Sequence, residues 1–488
     1  MSQPNPKRWA ALWFIALAQF MVIMDTSIIA VALPDLQADL GFSQANLTWV
    51  LNGFLVAFGG LLLLGGRLAD LFGAKRMFTI GWAVLLVGSV LAALAGSPGV
   101  VVAGRAIQGA GSALIAPAAL ALLMMLFSHD PKELTKAIAL YGAAAPAGGT
   151  AGVFLGGVIT EWLSWPWVFW LYIPISLAAL AAIPALMPST PRRTGDVDVL
   201  GALTVTAGLA LIVLGVVRAP EEGWGSAPTL STLGGGLVLL ALFGAIQSKV
   251  KAPLMRLSIF RTPNLAGANL AQLLLGAAWV PMYYFLNLYL QQVLGYGAFA
   301  SGAALLPMTV FIMVGMITLA PRLISRVGPK PLIVAGPFVM AVGLVGLSLA
   351  RSDGSFAIDV LWASIIAAGG QVLAFIPSLG MAISSARSEE GGLAAGIVNT
   401  SYQVGSAVGL AAMTALAVSN GAAQLDNPKA LTDGFSAGFI GAAGLAVAGG
   451  LLALITIRQP SAPDSAPTDV THSQDLPLAT NHQWRRGE

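Results

Sequence analysis

The stretch Trp13-Phe-Ile-Ala-Leu-Ala-Gln19-Phe-Met-Val-Ile-Met-Asp25-Thr-Ser-Ile-Ile-Ala-Val-Ala-Leu-Pro34 is apolar almost throughout and holds one ionisable side chain near its middle. An α-helix needs roughly 20 such residues to cross about 30 Å of hydrocarbon. A carboxylate at that depth is costly unless it is paired, protonated or facing water, so it marks an ion or substrate route. One other ionisable residue sits as clearly inside an apolar run: Arg105, within Gly99–Phe127. One acid and one base in an otherwise hydrocarbon-like chain predict a membrane transporter coupled to protons.

Composition excludes most other classes. Of 488 residues, 57% are hydrophobic and 9% charged, against about 25% charged in a soluble domain. The 57 glycines suit helices that approach closely in lipid. The pI of 9.2 does not signal nucleic acid, because the basic residues are scattered in short loops rather than gathered in a patch. With no cysteine, disulfides, thiol nucleophiles and thiolate metal sites are excluded. Lys7 and Arg8 precede the first apolar run as in a signal peptide. The run continues to about Leu33 without a small-residue cleavage site, so it reads as a retained first helix.

Apolar windows place fourteen spans, near 9–33, 47–68, 77–97, 100–127, 136–160, 166–187, 198–217, 230–248, 265–290, 300–320, 331–350, 358–384, 393–418 and 435–457. The alternating ten-residue segments of a β-barrel are absent. The fold class is therefore an all-α integral membrane protein. Loop charge gives an independent check. If Lys7 and Arg8 lie inside, so do Arg67, Lys75, Arg76, Lys132, Lys136, Arg192, Arg193, Lys249, Lys251, Arg256, Arg261, Arg322, Arg326, Lys330, Arg387, Arg458, Arg485 and Arg486. The outer loops hold only Arg218, Arg351 and Lys429 of the 24 Lys and Arg. That bias predicts cytoplasmic termini in a multi-pass plasma (inner) membrane protein.

The turn after span 2, Arg67-Leu-Ala-Asp-Leu-Phe-Gly73-Ala-Lys75, returns after span 10 as Arg322-Leu-Ile-Ser-Arg-Val-Gly328-Pro-Lys330. Arg, Leu, Gly and Lys stay in register. The chain then parses into a six-helix bundle over 1–190, an inserted pair of helices over 191–262, a second six-helix bundle over 263–458 and a polar tail over 459–488. Two halves in parallel repeat around a midplane site is the plan of one large transporter class. The tail, rich in Pro, Ser, Asp and Thr, is expected to be disordered.

Four local patterns accumulate in order: Met24-Asp25 through Pro34; Gly66-Arg-Leu-Ala-Asp70-Leu-Phe-Gly73-Ala-Lys75-Arg76; Arg105-Ala-Ile-Gln108-Gly109-Ala-Gly111; and Gly148-Gly149-Thr-Ala-Gly152-Val-Phe-Leu-Gly156-Gly157. Together they resemble the motifs of the major facilitator superfamily, specifically its fourteen-span drug:proton antiporters. The stretches Trp165–Pro174 and Tyr289–Tyr296 are similar to that subfamily too. The resemblance spans about Lys7 to Arg458 and implies the major facilitator fold. It departs at Leu71 and Ala74, where the family has basic residues, at Val153, where it has Pro, and at Ala30, where it has Asn.

Each motif also has its own physics. Gly66 and Gly73 permit tight helix ends, while Asp70, Lys75 and Arg76 can pair with each other or with helix termini. A plain polar turn would read the same way, but its second copy favours a conformational latch. Gly148, Gly152 and Gly156 form one small-residue stripe that lets another helix approach, with Gly157 beside it. The resemblance implies that this span meets the opposite half. By depth, Asp25 lies roughly 13 Å from Pro34 and Arg105 roughly 9 Å from the start of its span, within an arginine's reach of each other. A static ion pair would pin two helices. Proton coupling explains better why an expensive acid is kept.

Span 9 carries Trp279, Pro281, Tyr283, Tyr284, Phe285, Asn287 and Tyr289. Such aromatics suit a cavity for bulky lipophilic molecules or organic cations, although several must face lipid or the interface. Gln19, Asn52, Gln108, Asn269, Gln272, Gln371, Asn399 and Gln403 are buried-amide candidates, some lining that cavity and others bridging helices. No phosphate-binding loop for ATP is present. The three histidines, His129, His472 and His482, lack metal-ligand spacing. No cofactor, metal, nucleic-acid partner or enzymatic activity is expected. The partners are protons, a lipophilic small molecule and the bilayer, and the expected state is a monomer. The reading is a proton-coupled antiporter exporting hydrophobic compounds, monocationic drugs or natural products among them. Its rivals are a dedicated exporter of one metabolite or lipid, an uptake symporter, and a transport-dead sensor or assembly subunit.

Overall fold

The computed structural model describes residues 7–127, 129–188, 196–255, 257–258, 262, 264–385 and 391–458. The polar tail, Arg192, Arg193, Arg256, Arg261, Arg387, Arg485, Arg486, His472 and His482 lie outside the described residues. Lipid offers the backbone no partners, so each apolar run closes its own hydrogen bonds as a helix. Among the described residues, fourteen helices are long and apolar enough to span a membrane. They are α1 Arg8–Leu40, α2 Gln44–Phe72, α3 Ala74–Ala93, α4 Pro98–Phe127, α5 Lys136–Trp162, α6 Trp167–Leu186, α7 Val199–Glu222, α8 Ala227–Lys249, α9 Leu265–Val293, α10 Ala298–Val327, α11 Pro329–Ser348, α12 Phe356–Ser385, α13 Ala394–Ala422 and α14 Pro428–Thr456.

Several ends differ from the expectation, α10 for one, which runs to Val327 rather than to about 320. α1 continues through Pro34 to Leu40, where Gly41 closes it with a left-handed φ of 70°. α14 begins at Pro428, capped by the Asn427 side chain on the Ala430 amide. Hydropathy finds only the lipid-facing part of a helix, and neither polar residues nor one proline ends it outside the hydrocarbon. Asp25 is therefore further from its helix end than its distance from Pro34 implies.

The packing repeats as the turn sequences do. α1 packs on α5 and α3 on α4; likewise α9 packs on α13 and α11 on α12. Across the halves, α5 meets α10 and α2 meets α13. Gly73 and Gly328 turn the corners α2–α3 and α10–α11 with φ of 92° and 79°, values that only glycine adopts without strain. Further along, Gly81 and Gly88 on α3 press against the α4 backbone. Gly336 and Gly343, at the same distances from their turn, press against α12. The inserted helices α7 and α8 pair with each other, and α7 seats on α2 and α13 where the halves meet.

Candidate functional site

Glycine brings the backbones of the first half close enough to build a polar centre inside it. A side chain at Gly53 would meet the Val102 carbonyl at 3.2 Å, and one at Gly88 the Gly104 carbonyl at 2.8 Å. α4 is thus drawn tightly onto α2 and α3, and Arg105 is the residue it presents between them. The Arg105 guanidinium grips Asp25 bidentately, Nη1 to Oδ1 at 2.7 Å and Nη2 to Oδ2 at 2.6 Å. The side chains are 0% and 1% exposed. In so dry a place only full hydrogen bonding makes an ion pair tolerable.

Three further contacts hold Arg105. Its Nε donates to the Val50 carbonyl on α2 at 2.8 Å, and Nη1 also donates to Gln108 Oε1 at 2.8 Å. The guanidinium carbon stands 4.7 Å from the Phe54 ring centroid, a cation–π distance. Gln108 in turn donates to Ser89 Oγ on α3 at 2.8 Å, and Ser89 donates to the Leu85 carbonyl. The base is tethered to α2, α3 and α4. Asp25 is the only member of the cluster on α1.

The same helix α1 makes the contact between halves. Pro34 has no N–H, so the Ala30 carbonyl loses its partner within the helix. Asn287 of α9 supplies a replacement donor through Nδ2. Gln291 Nε2 donates to the Val31 carbonyl at 2.9 Å, and Gln292 Nε2 to Gln37 Oε1 at 2.8 Å. Ser301 Oγ holds Asn287 Oδ1 at 2.8 Å. Beside this amide lock, the Phe299 amide donates to Glu161 at 3.3 Å, and the Phe299 ring packs on Phe154 and Trp162. The halves are therefore joined on the side far from the N-terminus.

The glycine stripe faces a different partner from the one expected. Side chains at Gly148, Gly152 and Gly156 would meet the carbonyls of Phe20, Met24 and Ile28 on α1, in the same half. Opposite-half contact falls to the neighbouring face, where Gly157 meets Ala298 and Phe299, and Val153 meets Gly302. Sequence spacing fixes a stripe on a helix but not which neighbour it faces. The stripe brackets Asp25, so a substitution in it is a strong test. A Cβ at Gly152 would lie 2.7 Å from the Met24 oxygen and 2.9 Å from Ser27 Cβ, costing about 1–3 kcal/mol of overpacking. Gly152→Val should lose transport and unfold at lower temperature in detergent. Gly149→Ala, with only 3.9 Å neighbours, should match wild type in both measurements.

The other expected residues are placed as follows. Lys75 Nζ donates to the carbonyls of Pro184 and Met187 at 3.1 and 2.9 Å, the C-terminal end of α6 in its own half. Asp70 and Arg76 are exposed, and Asp70 reaches no partner among the described residues. Gly66 is half-buried near Pro117 of α4. Gln108 and Asn287, expected in a cavity wall, are instead committed to the Arg105 cluster and the amide lock. Gln19 accepts from the Tyr141 hydroxyl at 2.9 Å. Asn52 is fully buried with no partner for its amide, and Gln371 is buried with an unpartnered oxygen. Gln403 packs on Gly59 across the halves. Trp279, Tyr283 and Asn399 are half-buried. A cavity of about 140 Å³ opens where α2, α7, α8 and α13 converge, lined by Gly59, Val205, Phe243, Met255, Leu273 and Thr400. Sequence reasoning missed the share of the inserted pair, because nothing in a lone apolar helix says which groove it fills.

Comparison with known proteins agrees with the fold. The profile of the Major Facilitator Superfamily matches residues 15–410. The chain is 37% identical to a cephamycin export protein of Amycolatopsis lactamdurans, CmcT, covering 95% of this chain and 94% of that one. It is 35% identical to the puromycin resistance protein pur8 of Streptomyces alboniger, covering 93% and 91%. Among solved structures, the nucleoside transporter NupG, in mutant form, superposes with a TM-score of 0.65 over 93% of this chain and 100% of that one at 13% identity. The human organic anion transporter MFSD10 gives 0.61 over 92% and 100% at 14% identity. At those identities the structures speak to fold alone.

Proposed function

The chain belongs to the major facilitator superfamily, and from that premise we propose that it is a proton-coupled antiporter. It exports hydrophobic small molecules, monocationic ones among them, by alternating access across the plasma membrane, as a monomer with cytoplasmic termini. Similar proteins are named for exporting or resisting antibiotics, which supports efflux. The observation that carries proton coupling is the double duty of α1. One face holds the sealed carboxylate, and the carbonyls about one to two turns further on hold the opposite half.

The cycle follows from that placement. The ionised pair clips α1 to α4. Substrate entering from inside moves α1 along the glycine face of α5, and the Ala30 and Val31 carbonyls, roughly 8–9 Å further along α1, leave Asn287 and Gln291. The outer side opens, and Asp25 takes up a proton from outside, which releases the clip while Arg105 stays held by Val50, Gln108 and Phe54, and substrate leaves. On return to the inward-facing state Asp25 gives the proton up inside and the ionised pair re-forms. Asp25 points into its own half rather than into the space between halves, so proton and substrate need not share a cavity. They are coupled through α1, and each alters the other's affinity by the same factor. The amide lock closes the far side in this conformation, and Asp70 has no partner among the described residues. The 66–76 turn would latch in the other state.

The test is efflux of a lipophilic fluorescent cation from cells expressing the chain. Efflux that stops when the proton gradient is collapsed supports the reading, and efflux that continues at the same rate refutes it. A dedicated exporter of one natural product is the second reading, favoured by relatives named for single antibiotics. A substrate panel separates the two.

A further inference from the structure

Asp25 lines a crevice with Trp82, Ser112, Tyr172, Leu85 and Ile115, and Arg105 is not part of its lining. Among the described residues Trp82 Nε1 and Ser112 Oγ have no hydrogen-bond partner, and the Tyr172 hydroxyl lies within reach of Asp25 without a well-formed hydrogen bond; these residues are 0%, 1% and 1% exposed. Orphaned buried polar atoms are costly and rare in native proteins. Two of them, from α3 and α4, line one crevice with the Tyr172 hydroxyl of α6 and one ionisable group, and call for a partner in another state.

We propose that Trp82, Ser112 and Tyr172 form a second seat for Asp25, which the carboxyl occupies in its neutral, protonated form after it leaves Arg105. Their chemistry matches a carboxylic acid. Trp82 Nε1 only donates, whereas the Ser112 and Tyr172 hydroxyls both donate and accept. A neutral acid needs an acceptor for its O–H and a donor for its carbonyl oxygen, and the seat offers both. A carboxylate is acceptor-only, and its two oxygens are taken by Arg105 in the charged state. The apolar remainder of the crevice disfavours charge. In the step itself one proton from the outer solution adds to a carboxylate oxygen, the two guanidinium bonds break, and the new O–H donates to Ser112 or Tyr172. Within the membrane, the titratable groups on the described elements packed against α1 are Arg105 on α4, Tyr172 on α6, Tyr141 on α5 bonded to Gln19, and Tyr283, Tyr284 and Tyr289 on α9, the last bonded to the Arg351 carbonyl. Arg105 alone among them is a cation.

This inference rests on Asp25 carrying the proton, and the test separates the two claims. Proton-driven efflux is followed against pH for wild type, Tyr172→Phe, Ser112→Ala and Asp25→Asn, with thermal stability in detergent measured alongside. Removing a hydroxyl that favours the neutral acid weakens proton binding. Half-maximal efflux should therefore move to more acidic pH by roughly half to one unit in each hydroxyl variant. A structural role alone would lower the unfolding temperature and the rate without moving the midpoint. If Asp25→Asn uncouples transport while both hydroxyl variants keep the wild-type midpoint, the second seat is refuted and the proton role of Asp25 survives. If Asp25→Asn remains coupled, both fail. Should Tyr172→Phe not fold, Ser112→Ala decides alone.

Discussion

Asp25→Asn should fold and lose gradient-driven efflux roughly a hundredfold or more, down to the rate of cells lacking the transporter. Asparagine nearly matches aspartate in shape, and its carbonyl oxygen still accepts from Arg105 Nη1 or Nη2, so the packing of α1 on α4 survives. It cannot take up or release a proton. The substitution fixes α1 in one charge state, and exchange driven by the proton gradient stops, while downhill substrate movement continues. Uphill efflux and downhill equilibration measured in the same vesicles distinguish loss of coupling from loss of folding.

Arg105→Ala should have the larger effect on stability. It removes the counter-charge from a carboxylate only 1% exposed and the donors from Gln108 Oε1 and the Val50 carbonyl. Stripping one partner from a buried ion pair costs about 3–5 kcal/mol, relieved in part if Asp25 takes a proton. Unfolding in detergent should occur at markedly lower temperature, and the variant should not pump. Adding Asp25→Asn should restore part of the stability, because the uncompensated charge is gone, so the two losses will not add. Full additivity would mean that the pair does not interact in the folded protein. Arg105→Lys should recover little, since one ammonium cannot span both carboxylate oxygens and Val50.

How much of this was legible in the residues differs by feature. Fourteen helices follow from length and hydropathy, because lipid leaves the backbone no alternative to internal hydrogen bonds. The meeting of Asp25 and Arg105 was expected from two depths and an arginine's reach, although one depth counts from Pro34, which does not end α1. What sequence withholds is the direction each side chain faces around its helix. The stripe at Gly148, Gly152 and Gly156 was readable as a stripe, but its partner α1 was not. Pro34 was taken for a helix end. Its structural consequence is a free Ala30 carbonyl, which becomes intelligible only once Asn287 is seen to occupy it. Gln291 and Gln292 were visible in the Tyr289–Tyr296 stretch with no role attached, because their partners lie some 260 positions away. The charged centre also has no second copy. The α11–α12 packing places Ser364 where α4 has Arg105, an asymmetry that a repeat of turn sequences does not reveal.

The central claim is that a proton moves on Asp25 in exchange for substrate. It is tested most directly in vesicles of purified protein that enclose a pH-sensitive dye, with a substrate gradient imposed and no initial pH difference. Wild type should drive protons against the direction of substrate flow, and Asp25→Asn should leave the internal pH unchanged. Substrate flow through wild type without a pH change, or an undiminished pH change with Asp25→Asn, would contradict the account.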